Sequence, residues 1–106
     1  MISEDRLHQA LTYLATTDEP CAKLRADVGR AEFKAKVVKD AIFKRLDGSV
    51  ADRTAEAGAS DEHAAAMNEY FDVLERYEAM RNKRATEVVV VDTWRSLNAS
   101  RRQGNV

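Results

Sequence analysis

The sequence predicts an all-α protein: a short N-terminal helix followed by a long antiparallel helical hairpin, coiled-coil-like and oligomerising. Three observations predict it. Cys21, Leu24, Val28, Ala31, Ala35, Val38 and Ile42 recur at alternating spacings of three and four, with Leu46 closing the series. That rhythm winds one seam along a helix and asks for a partner helix. The 106 residues contain one proline and four glycines, too few for the turns of a sheet protein, while 33% are charged and 44% hydrophobic. Capping residues also fall where helices of this length need to begin. A chain of this size holds one domain.

In order along the chain, residues 3–16 predict the first helix. Ser3 is a good cap, Glu4 and Asp5 suit the positive helix start, and Leu7, Ala10, Leu11 and Leu14 make one apolar face. So short a helix is marginal unless it packs on something, and Thr16-Thr17 ends it. A new start follows: Thr17 as cap, Asp18 and Glu19 in the first turn, and Pro20 where early N–H groups lack partners anyway. The long helix covers residues 18–46, weakened only at Gly29 and supported by Glu32–Lys36 and Asp40–Lys44 spacings. Gly48 is placed to close it in a left-handed conformation.

Residues 47–60 form a polar connection, with at most a weak helical turn over residues 50–57. Ser60, Asp61 and Glu62 then open a second long helix over residues 61–100. Met67, Tyr70, Phe71, Leu74 and Tyr77 give its first apolar face, and Asp72–Arg76 a supporting pair. Val88, Val89, Val90 and Val91 favour a strand in isolation, but no second strand exists to pair with them. Val88 and Val91 continue the helical spacing, so the run reads as helix covered on more than one side. That cover is the basis for self-association through Val88, Val91, Trp94 and Leu97. Residues 101–106 read as a flexible tail.

Charge is unevenly placed behind a net value of −1. Residues 46–80 carry two Lys/Arg against nine Asp/Glu, whereas residues 81–106 carry six against two. The acidic part of the second long helix therefore suits the lysines of the first. The single cysteine, Cys21, has no internal disulfide partner and sits on the seam as a small core residue. His8 and His63 are isolated; no zinc spacing, phosphate loop or nucleophile–base arrangement occurs. No cofactor, metal or enzymatic activity is expected. Met1 and Ile2 lead at once into Ser3, Glu4 and Asp5, and the longest apolar run is too short for a bilayer. A soluble cytoplasmic protein without a membrane partner is expected.

One constellation points to a ligand. Arg81, Lys83, Arg84, Arg95, Arg101 and Arg102 concentrate positive charge near the C-terminus, with Trp94 among them. Cations that neutralise phosphates, beside an aromatic ring, suit sequence-tolerant binding of single strands. Trp94 also reads as a core or interface residue.

Residues 86–103 read TEVVVVDTWRSLNASRRQ, after a long charged helix and a loop containing DGSVADR, Asp47–Arg53. This arrangement resembles small phage proteins encoded among replication and recombination functions, which commonly end in an aliphatic run, a Trp-Arg pair and basic residues. The layout is similar to phage recombination mediators of the UvsY type. Those are helical, self-assembling and bind single-stranded DNA. The resemblance implies a homo-oligomer that contacts single-stranded DNA through the six basic residues above, in the cytoplasm of a host cell. The rival reading is a helical adaptor or inhibitor that docks on a host or phage protein and binds no nucleic acid.

Overall fold

The computed structural model describes residues 1–104. They form three helices and no strand: α1, Glu4–Arg45; α2, Val50–Gly58; and α3, Asp61–Gly104. Each start is capped by a serine. Ser3 Oγ accepts from the Arg6 N–H at 3.0 Å, Ser49 Oγ from Asp52 at 3.1 Å, and Ser60 Oγ from His63 at 3.2 Å. Gly48, just after α1, takes a φ of 116°, which is strained for any residue carrying a Cβ.

Three expectations about the elements are corrected. The break at residues 16–18 does not exist, because α1 runs through Thr16, Thr17 and Pro20 without interruption. Thr17 does not cap; its hydroxyl donates back to the Tyr13 carbonyl at 2.6 Å, a helix-interior bond. The physical reason lies in the seam. Counting back from Cys21 by four and three reaches Thr17, Leu14, Ala10 and Leu7, and all of these are half-buried or buried. Burial along both sides of Pro20 outweighs its missing N–H.

The connection at residues 47–60 contains α2, which the Ser49 cap, its alanines and the buried Ala57 stabilise. Residues 101–104 of the expected tail belong to α3; the last two residues of that tail lie outside the described residues.

The chain divides into two compact units. The first combines residues 1–22 with residues 78 onward, and the second is Lys23–Tyr77. In the second unit, Ala35 and Ile42 of α1, Ala57 of α2, and Ala66 and Val73 of α3 are buried. Lys34 reaches Glu69 at 2.9 Å and Arg45 reaches Glu62 at 3.2 Å. The Arg53 guanidinium of α2 stacks on the Phe43 ring of α1, 4.3 Å from its centroid. These cross-helix pairs replace the local spacings read from sequence: among the described residues, Glu32, Asp40 and Asp72 form no ion pair with Lys36, Lys44 and Arg76.

In the first unit the buried residues are Ala10 and Glu87. Of the two, the carboxylate on α3 is the unusual core component, and it sets the geometry of the candidate site. Val88, Val89, Val90 and Val91 are helical. Val90 and Val91 are half-buried while Val88 and Val89 are exposed. α1, unbroken at Thr17, reaches back to Glu4, and its Arg6 meets Glu87 immediately before the valine run.

Candidate nucleic-acid interface

The inward positions of α3 also alternate by three and four: Tyr70, Val73, Tyr77, Met80, Arg84, Glu87, Val91, Trp94 and Asn98 are all buried or half-buried. The apolar seam thus becomes polar at Arg84 and Glu87. Both find partners on α1. Arg6 donates to the Glu87 carboxylate, whose side chain is 7% exposed. This bond holds the Glu87 carboxyl below its usual range and the Arg6 guanidinium above its own. Burial acts the other way on both, and the nearby Lys83 charge lowers Glu87 further. Arg84 donates to the Leu14 carbonyl at 2.8 Å and to the Thr17 hydroxyl at 2.6 Å, with Asp18 at 3.3 Å.

These contacts separate the six basic residues proposed from sequence. Arg84 is committed to α1, with only 22% of its side chain exposed. The Lys83 ammonium sits 4.9 Å from the Tyr13 ring centroid. Arg81, Arg95, Arg101 and Arg102 are exposed. Arg81, Arg95 and Arg102 stand on one side of α3, because their positions differ by multiples of seven and drift only slightly around the helix. At 1.5 Å per residue, Arg81 and Arg95 are about 21 Å apart along the axis and Arg95 and Arg102 about 10.5 Å. Arg81 pairs with Glu78 at 3.3 Å and Arg95 with Asp92 at 3.7 Å. Such exposed pairs contribute about 0.5 kcal/mol or less and exchange readily for a phosphate.

Val88 shares that side of the helix, 46% exposed, and Leu97 is 44% exposed. The four residues proposed for self-association therefore divide, since Val91 and Trp94 are half-buried. Trp94 lines an open groove of about 460 Å³ with Glu4, Asp5, Leu7, His8 and Leu11. Those acidic neighbours make Trp94 a poor platform for a nucleic-acid base.

Arg6 and Glu87 were not singled out from the sequence. The three-four count on α3, continued past Met80, was the available signal, because it places a carboxylate on the seam. His63 Nδ1 lies 3.2 Å from the Gly58 carbonyl, and Cys21 is half-buried on the α1 seam. Among the described residues there is no group of three or more His, Cys, Asp or Glu that would hold a metal. Among the described residues no helix is long and apolar enough to cross a membrane. Comparison with family models, curated proteins and solved structures finds no match to this chain.

Proposed function

We propose that this is a phage-type accessory protein of DNA recombination or replication, similar in layout to the UvsY-type mediators. It assembles with copies of itself and binds single-stranded DNA without sequence preference. In this reading α1 and α3 pair as an antiparallel hairpin, and Val88 and Leu97 contribute to contacts between copies. The observation that carries the reading is the line of exposed arginines, Arg81, Arg95 and Arg102, on one side of α3. Each phosphate contact on a single strand contributes about −0.7 to the slope of log K against log salt, so three per chain give a slope near −2. Repeating the line in an oligomer multiplies these weak contacts.

A second reading, the protein-interaction adaptor, is favoured by Phe33 and Val37. These apolar residues stand one turn apart on α1 and are 69% and 47% exposed.

Anisotropy of a labelled oligothymidylate at low and moderate salt, on protein whose mass is measured by light scattering, tests the proposal. The expected result is an oligomer whose affinity falls steeply with salt. The R81Q/R95Q/R102Q variant is expected to bind about tenfold more weakly or worse while remaining helical. The V88D/L97D variant is expected to lose mass and, with it, affinity. A protein that binds no single strand at low salt removes the proposal and leaves the adaptor reading.

A further inference from the structure

α1 and α2 enclose an open groove of about 340 Å³ in the second unit, lined by Lys36, Lys39, Asp40, Phe43, Thr54 and Ala57. Its size is at the lower end of small-ligand pockets. Two kinds of lining meet there. Phe43 supplies apolar surface, over the buried Ala57, and Lys36 and Lys39 supply charge one turn apart on α1. Neither lysine has an ion-pair or hydrogen-bond partner among the described residues. Lys36 has Glu32 and Asp40 at pairing distance in sequence, yet pairs with neither. The Lys39 side chain instead lies along Gly58 in the last turn of α2, where helix carbonyls favour a cation.

A third cation stands behind the groove. Arg53 covers one face of Phe43, and its buried Nε has no hydrogen-bond partner among the described residues. Arg53 also has no carboxylate partner among them. Asp40 is the one acid in the lining, against Lys36 and Lys39 and the Arg53 guanidinium behind Phe43. The site therefore keeps uncompensated positive charge beside an aromatic ring, in a chain whose net charge is −1.

We propose that this groove binds one nucleotide unit of a single strand. Its phosphate lies between the Lys36 and Lys39 ammonium groups, and its base lies against the Phe43 ring. An acidic side chain would satisfy the lysines but leave the apolar lining empty; a nucleotide uses both. The inference rests on the single-strand reading above and adds a contact site separate from the α3 arginines.

The test combines two probes. Adding dTMP to isotope-labelled protein is expected to shift backbone amides within residues 36–43 and 53–57, and the K36Q/K39Q variant is expected to lose those shifts. The same variant, with helicity checked by circular dichroism, is expected to bind labelled oligothymidylate about five- to tenfold more weakly at low salt. Phe43→Leu keeps the lysines but removes the ring, and a similar loss is expected from it. Oligothymidylate binding that is intact in K36Q/K39Q overturns the groove assignment and leaves the α3 reading standing. Failure of the unmodified protein to bind oligothymidylate, with no dTMP shifts, removes both. Shifts produced by polyglutamate but not by dTMP overturn the assignment in favour of an acidic peptide.

Discussion

Arg84 of α3 donates to the hydroxyl of Thr17 on α1 at 2.6 Å, and that hydroxyl in turn donates to the Tyr13 carbonyl one turn back at 2.6 Å. Thr17 is thus both acceptor and donor, and Arg84 fastens the α1 turn that lies just before Pro20. Its further bonds to the Leu14 carbonyl and Asp18 place the guanidinium across a whole turn. An arginine at this position does architectural work, although its residue type and neighbourhood suggest a phosphate contact.

Arg84→Met is therefore expected to lower stability by about 1.5–3 kcal/mol, the range for hydrogen bonds made by charged groups. Urea denaturation measures this. Oligothymidylate affinity of the folded variant is expected to stay close to that of the parent, in contrast with Arg81→Gln. A variant that keeps its stability but loses binding would return Arg84 to the DNA-contact set.

The bond from the half-exposed Arg6 to the buried Glu87 makes stability depend on pH from the acid side. Arg6 holds the Glu87 carboxyl below its ordinary value of 4.5. A carboxylate whose folded value is depressed contributes stability that is fully present above the unfolded value and is lost as pH falls through the folded one. Melting temperature is accordingly expected to fall once pH drops below about 4.5. Glu87→Gln, which still accepts a bond from Arg6, is expected to melt lower at neutral pH and to lose part of that acid dependence. Equal acid slopes in the two proteins, followed by circular dichroism, would show that the pair does not titrate with folding.

Much of the helical pattern was legible because burial along a helix repeats in the sequence as alternating threes and fours. The seam from Cys21 to Ile42 and the serine caps at Ser3 and Ser60 are read directly from residue types. Two features hid the rest. Thr16, Thr17, Asp18, Glu19 and Pro20 form a strong local start signal, and it masked the continuity of Leu7, Ala10, Leu14 and Thr17 with Cys21. Local propensity lost to tertiary burial there. On α3, the apolar face read from sequence, Met67, Tyr70, Phe71, Leu74 and Tyr77, takes in the exposed Phe71 and passes over the buried Val73, and the inward line continues through Met80 and Glu87. A carboxylate can sit on that line only because Arg6 meets it, and a pairing 81 residues apart in sequence leaves no local trace. For the candidate site, sequence supplied the arginines but not their division. Seven-residue spacing sets Arg81, Arg95 and Arg102 on one side, while Arg84 belongs to the seam.

Pro20 offers the sharpest test of the continuous α1. Inside a helix, proline lacks the N–H that would bond to the Thr16 carbonyl and crowds that carbonyl, a cost of about 3 kcal/mol relative to alanine. Proline also restricts the unfolded chain, which returns about 0.4–1 kcal/mol. Pro20→Ala is therefore expected to stabilise the protein by about 2 kcal/mol, with slower amide exchange through residues 16–24. In the first turn of a separate helix the same proline is well placed, since no N–H bond is lost there and its φ is already suitable. Alanine would then leave stability unchanged or lower it. The sign of the change in urea midpoint consequently decides between one helix through Thr17 and two helices meeting at it.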